Sequence, residues 1–540
     1  MSQKGKKLEL NKGLFWPTLI ATLFVAALCV IFPDRFISVG NFLLGWVLNN
    51  FGWFILAVSV IIFLVLIWLA FTPFGKRIVG GPNAERVYKS NFTWFSVILC
   101  SSIGIAIVFW AVYEPLSMYM NLPQFAIDLG IQPGSNGAAL FCIAETTWHW
   151  CAPYYAVQMI WGLMIVYLSI EKGLPYRPST ALYPVLGNKI FSTKGTAIDV
   201  MCLVAQLFAT ITCMGIAAIQ VAASSSFIFP GLNASSLSTQ IVITIICSAF
   251  FIFTSASGMK KGISYLSDIN TYIYIVLLLF LFLAGPTVRL LEGVLGTLGM
   301  CLDILPISWL NLDMLGTNGG FGNNNTAYYW VWSLAFGPLT GSFYAKSCIG
   351  RSYRQFILGI MGGSFIFLLF WFVAWGGSAI YMQDQLGIDI WGGIAAAGGL
   401  EASNWVLLSN LPLAKITVPL ASFCALVGFV TMTQSINNSL ASCTTKMSRR
   451  LDPPMSMIIL WGSIMCIVTV ILLGAVARTG LSALQSATVA FAIIIMVITL
   501  FVVAGYFKIA YGQMDKLLAE TEQGKRTYEL VAQQEGSCED

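Results

Sequence analysis

Two short segments of this chain concentrate the side chains best suited to chemistry. One is Trp148-His149-Trp150-Cys151-Ala152-Pro153-Tyr154-Tyr155, and the other is Tyr328-Tyr329-Trp330-Val331-Trp332-Ser333-Leu334-Ala335-Phe336. On a helix, Trp150, Tyr154, Gln158 and Trp161 share a face, as do Tyr329, Trp332 and Phe336. Ring faces attract cations, and a water-free box of rings suits a quaternary ammonium, which has no hydrogen-bond donor. The competing assignment is an aromatic belt at a membrane surface. Tyr328 and Tyr329, at the start of their segment, suit a belt; Trp150, Tyr155, Trp332 and Phe336 lie deeper and suit a cage. Few ionisable residues interrupt the apolar stretches: Glu145, His149, Asp199 and Asp268, with Glu114 at one end. Glu145 and His149 are i,i+4 neighbours, and His149 is the only histidine. The pair could relay a proton, bind an ammonium group, or make an internal hydrogen bond facing the bundle.

The elements that must position these residues are long and apolar. The chain of 540 residues is 58% hydrophobic and 9% charged, where a soluble domain carries about 25% charged residues. Runs of about 20 apolar residues recur, enough to cross a hydrocarbon core as helix, and they are continuous rather than alternating, which excludes a barrel. The reading is an all-α membrane protein with twelve transmembrane helices. Nearly all of the 28 Lys and Arg fall in alternate gaps between spans and at the termini; Arg35, Arg289, Lys415 and Arg478 are the exceptions. Short basic loops stay cytoplasmic, so both termini are expected inside. The net charge of +5 follows from that bias and gives no support to nucleic-acid binding. Leu14–Phe32 reads as a retained span, since no small-residue cleavage site follows it. The cysteines mostly lie in spans and form no Cys-x-x-Cys, which points away from disulfide and metal roles. No phosphate-cradling loop appears, so ATP-driven transport is not expected, and no paired constellation suggests an enzyme.

The organisation divides into residues 1–92, an N-terminal tail and two peripheral spans; 93–285, five spans; 286–326, an outer segment; 327–507, five more spans; and 508–540, a cytoplasmic tail of mixed charge. Within the outer segment, Val288–Asp303 has apolar residues at helical intervals and reads as an amphipathic helix at the interface. Two groups of five spans run oppositely through a bilayer, which is the arithmetic of an inverted-repeat transporter. The first helix of each repeat is the one expected to break near mid-depth. Ser101–Ala106 and the stretch holding Gly337, Pro338 and Gly341 are the candidates.

Several motifs, in order, resemble those of the betaine/carnitine/choline transporter family. They are Phe109-Trp110 with Glu114-Pro115-Leu116, His149-Trp150, Gly173-Leu174-Pro175-Tyr176-Arg177-Pro178-Ser179, Gly258-x-x-Lys261-Gly262 with Leu266-Ser267-Asp268, and Tyr329-Trp330-x-Trp332 with Pro338 and Gly350-Arg351-Ser352. The resemblance runs from about the second span to the twelfth. It implies a LeuT-like five-plus-five inverted repeat preceded by two extra helices, a homotrimer in a bacterial inner membrane, and alternating access for trimethylammonium compounds by symport or antiport. Trp150 and Trp332 then fall on aromatic-box positions and Trp330 on a neighbouring pathway position.

The chain also departs from the family pattern. Ser333 stands where a second tryptophan is usual, Tyr155 where Trp is common, and Gln158 where Tyr is common. With Glu145, Ser333 and Gln158 could serve a substrate bearing N–H or hydroxyl groups. The resemblance further implies Na+ as the coupling ion, with Ile103 (by its carbonyl) and Thr431 as ligands, although Met432 replaces an expected serine. Apart from that ion, no cofactor is expected. Two other readings stay open: a carrier of a less methylated amine zwitterion held by Glu145, and a membrane sensor that binds without transporting.

Overall fold

The computed structural model describes residues 10–104, 106–256, 262–445, 453–479 and 482–510, with side chains at 475–491 and 510 left aside. The first residues of the N-terminal tail and nearly all of the C-terminal tail therefore lie outside the described residues. The described backbone is almost entirely helical, with only two isolated β-bridges.

The membrane elements run α1 (Lys12–Ile31), α2 (Pro33–Phe71), α3 (Asn91–Ile103), α4 (Ala106–Phe109), α5 (Tyr113–Met120), α6 (Asn136–Trp150), α7 (Ala152–Val166), α8 (Thr193–Ile228), α9 (Leu237–Ala256) and α10 (Ser264–Ala284). They continue with α11 (Thr287–Trp309), α12 (Ala327–Ala335), α13 (Gly337–Ser347), α14 (Tyr353–Phe372), α15 (Ser403–Ser409), α16 (Ala414–Cys443), α17 (Met455–Thr479) and α18 (Ser482–Ala510). Among the described residues, 11 helices are long and apolar enough to span a membrane, and 12 if the bent pair built from α3 to α5 counts as one.

That set differs in one member from the twelve expected spans. The outer helix α11 qualifies on length and hydropathy, whereas the expected eighth span does not. The eighth span is divided into pieces of 9 and 11 residues, because Pro338 has no N–H to continue the ladder. Helix α11 is amphipathic as expected. Leu290, Val294 and Cys301 are buried on the face packed against α6, while Leu291, Leu295 and Leu302 are exposed.

The third span breaks after Ile103, and its two halves are bent by 66°. A broken helix in a bilayer needs new partners for its freed carbonyls. Here side chains from three other helices supply them. The Tyr274 hydroxyl of α10 donates to the Gly104 carbonyl at 2.6 Å, the Trp371 indole of α14 donates to Ile107 at 2.8 Å, and the Asn404 amide of α15 donates to Val108. Gly104 itself lies against α16, since a Cβ there would stand 3.0 Å from the Gly428 Cα.

The fourth span is also interrupted. Helix α6 ends at Trp150, Cys151 takes φ −103° and ψ −123°, and α7 begins with Pro153 in its first turn. Helices α7 and α13 then cross with their backbones touching at Gly162 and Gly341, where a Cβ on either residue would strike the other helix. Small residues at such a crossing let helices approach closely where lipid offers no hydrophobic drive to associate them.

Two of the motif loops are explained by local bonding. Asp199 of α8 accepts from the Ser179 N–H at 2.6 Å and from its hydroxyl at 3.0 Å, and pairs with Arg177 Nε at 3.3 Å. Gly350 adopts φ +81° where a Cβ would meet the Arg86 backbone. Arg351 then folds over the Trp94 ring at 4.4 Å, and Ser352 with Gln355 forms a capping box on α14. Asp268 accepts from Thr93 at 2.8 Å, tying α10 to α3.

Candidate functional site

Between the breaks in the third, fourth and eighth spans lies a small cavity of about 30 Å³. Helix α12 contributes Tyr328, Trp332 and Phe336, which are four residues apart and so stack along one face, with Tyr329 beside them. Trp150, the last residue of α6, and Tyr154, one turn into α7, form the second aromatic side. Phe109 and Trp110, just past the break in the third span, form the third. Ser102, Ala106, Cys213, Ile216 and Met432 complete the wall, so it contains no ionisable carboxylate or base. The rings support one another, edge-on at Tyr329 and tilted at Tyr154. Trp150 lies 5.1 Å from Tyr329 and 5.4 Å from Tyr154, and Trp110 lies 5.9 Å from Tyr329.

Of the residues singled out from the sequence, Trp150, Trp332 and Phe336 are in this wall. Tyr155 is not. It is fully buried one step round α7, with its ring 6.1 Å from Tyr344. Tyr154 takes the inward position instead. Trp330 also points elsewhere, edge-on to Trp309 of α11 at 6.0 Å and fully buried. Tyr328 and Tyr329, expected in a belt, line the cavity instead.

The polar candidates stand behind the wall. Gln158 donates to the Ser333 hydroxyl at 2.9 Å, and Ser333 donates to the Tyr154 carbonyl at 2.6 Å. The two residues that replace family aromatics therefore bond each other across the α7–α12 contact. Ser102, whose hydroxyl lies 3.5 Å from the Gln158 side-chain oxygen, connects them to the cavity, as does Tyr154 through the carbonyl that Ser333 bonds. Glu145 is fully buried outside the wall and accepts from the Ser308 hydroxyl of α11 at 2.7 Å. His149 lies 3.8 Å from Glu145 but 2.6 Å from Glu114, and its ring stacks on Tyr329 at 4.7 Å.

Thr431 of α16 reaches α3 at Cys100, one turn before the break. The Thr431 hydroxyl lies 3.4 Å from the Cys100 carbonyl, 3.1 Å from that of Gly428 and 2.9 Å from that of Val427, and Ile103 is fully buried at the end of α3. The Gly428 and Val427 carbonyls belong to the same unbroken stretch of α16 as Thr431, so Cys100 supplies the carbonyl from the broken span, and a hydroxyl beside a carbonyl at a helix break is the kind of oxygen pair that can face a hard monovalent cation. Among the described residues no cluster of His, Cys, Asp and Glu could hold a metal ion, and the cysteines are free thiols.

Sequence reasoning missed Trp110, Ser102, Cys213, Ile216 and Met432 as wall residues. For Trp110 the only signal was its place in a family motif. For Cys213 and Ile216 of α8 there was none, because their inward direction depends on how α8 packs.

The sequence profile of the betaine/carnitine/choline family of transporters matches residues 13–515. A probable glycine betaine transporter of Desulfitobacterium hafniense is 29% identical over 495 residues, covering 91% of this chain and 95% of the relative. An ectoine/hydroxyectoine transporter of Virgibacillus pantothenticus is 29% identical over 512 residues, covering 93% and 96%. The betaine/ectoine transporter LcoP of Corynebacterium glutamicum is 30% identical over 501 residues, covering 90% and 76%.

Proposed function

The chain belongs to the betaine/carnitine/choline family of transporters, and from that premise we propose that it is a secondary active carrier of a small quaternary ammonium compound, working by alternating access. The observation that carries this reading is the cavity wall. Rings from three separate spans face one space beside the breaks in those spans, and no carboxylate competes with them for the cation. A bulky positive head without donors gains from ring faces what it loses in hydration. Trp150, Trp332 and Phe336 are the proposed cage, with Trp110, Tyr154, Tyr328 and Tyr329 completing it. Tyr155, Gln158, Ser333 and Trp330 hold the wall from behind, and Ser102 is the polar contact for a hydroxyl or carboxylate on the substrate.

The transport cycle tilts the broken spans and their partners, α3–α7 and α12–α14, against the rest, in the manner of a five-plus-five repeat. The coupling ion is Na+, held by the carbonyls of Cys100 and Ile103 and the hydroxyl of Thr431, where it would supply charge that draws α3 to α16. The protein works as a homotrimer in a bacterial inner membrane with both termini cytoplasmic, the orientation that its basic loops favour.

The test is uptake into proteoliposomes of glycine betaine, choline, carnitine and butyrobetaine, with and without a sodium gradient. Accumulation of at least one of them, driven by the gradient, is expected. Binding without counterflow of any of the four would instead make the protein a sensor. The alternative of an amine zwitterion held by Glu145 has less support, since that carboxylate is engaged by Ser308 and stands outside the wall. A Glu145→Gln variant that lost all uptake while remaining folded would revive it.

A further inference from the structure

Trp150 has two jobs in this structure. Its ring lines the cavity, and its indole N–H donates to Glu114 Oε2 at 2.7 Å. An indole nitrogen can only donate, so this carboxylate oxygen must be the acceptor. The other oxygen, Oε1, lies 2.6 Å from His149 Nδ1. The far nitrogen of His149 lies 3.2 Å from the Thr326 hydroxyl. Glu114 is 5% exposed and His149 1%. The carboxylate is thus held behind the cage tryptophan, in a place that water hardly reaches and where its charge is weakly screened.

A carboxylate that accepts from an indole N–H pushes electron density into the ring. The ring face becomes more negative, and a cation resting on it is held more firmly. A neutral molecule of the same shape gains nothing. We propose that Glu114 is a positioning and specificity-determining residue, whose carboxylate acts through the Trp150 N–H to set the preference of the cavity for a cationic head over its uncharged isostere. The inference rests on the cage reading above and adds a residue outside the wall to it. Glu114 lies on α5 and Trp150 at the end of α6, so the bond also requires the outer half of the broken span to sit against α6. Cage strength is thereby linked to the position of that half-helix.

The experiment uses the full chain in lipid nanodiscs and measures binding of choline and of 3,3-dimethylbutan-1-ol, in which carbon replaces the charged nitrogen. Glu114→Gln keeps a carbonyl oxygen for the indole and removes the charge. The choline dissociation constant should rise by up to about tenfold, since part of the cation's attraction to the Trp150 ring face goes with the charge, while that of dimethylbutanol should stay within about a factor of two. Should the glutamine variant fail to fold, Trp150→Phe keeps a ring but removes the N–H, and the preference for choline over dimethylbutanol should fall there as well. Equal weakening of both ligands in Glu114→Gln would make the residue a structural brace and overturn the proposal, as would an unchanged ratio in Trp150→Phe. A wild-type protein that binds choline no better than dimethylbutanol would sink the cage reading itself, and this inference with it.

Discussion

Replacing Trp332 by leucine tests the cage most directly. The indole borders the cavity and is 9% exposed. Its ring meets Tyr328 edge-on at 5.9 Å, and among the described residues its N–H makes no hydrogen bond. The substitution therefore strands no polar partner, and leucine keeps the wall apolar. What disappears is one ring face toward the substrate. A desolvated cation–π contact is worth about 2 kcal/mol, and about 1.4 kcal/mol is a tenfold change in binding. The loss converts to about a 30-fold rise in KM or Kd for a quaternary ammonium. Phenylalanine, with a smaller face, should recover about half of that energy, leaving a rise of about fivefold. Uptake in proteoliposomes, with equilibrium binding alongside, separates KM from the maximal rate, and the maximal rate should survive in both variants. A KM for the leucine variant within about threefold of wild type, in protein that elutes as wild type, would mean that Trp332 does not hold the cation.

Trp330→Phe is the matching control. Its ring packs on Trp309 rather than in the wall, so KM should stay within about twofold while thermal unfolding shifts by about 1–2 kcal/mol for the void left behind. Gly162→Ala forces a methyl into the Gly341 backbone. It should cost at least about 1–3 kcal/mol, read as a lower melting temperature in detergent, and a wild-type melting temperature would show that α7 and α13 do not cross so closely. Asp199→Asn leaves Arg177, which is 11% exposed, without its counter-charge. Removing one partner of such a pair costs about 3–5 kcal/mol, and a second change, Arg177→Met, should recover part of that loss in the same melting experiment.

Much of the fold was legible because the bilayer imposes simple rules. Helices must be long and apolar, and loops on one side must be basic, so composition and charge placement alone point to a polytopic helical protein. Pro338 marked the break in the eighth span for a local reason, its missing donor. Trp150, Trp332 and Phe336 were identifiable as a group because two of them share a helix face at four-residue spacing. On a continuous helix Tyr154 shares a face with Trp150, whereas Tyr328 and Tyr329 were expected in a belt. Depth along the segment pointed to Tyr155, and family correspondence to Trp330.

The partners of the third-span break were not legible, and neither were those of the polar residues. Tyr274, Trp371 and Asn404 reach carbonyls that lie 170, 264 and 296 residues away in sequence, and nothing in their local context marks them. Glu114 and Trp150 are likewise 36 residues apart. As i,i+4 neighbours on one helix, Glu145 and His149 looked like a pair, yet the imidazole sits closer to Glu114 of another helix.

The amino-acid sequence alone determined that this chain crosses a membrane many times, which side its basic loops favour, and that it carries rings able to hold a cation, because hydropathy, charge and helical period are local properties of residues. Only tertiary structure decided which rings face one another, that Gln158 and Ser333 are spent on each other, and that Glu114 stands behind Trp150. Those outcomes depend on the packing of helices distant in sequence, where a turn of about 100° per residue separates a wall position from a buried one.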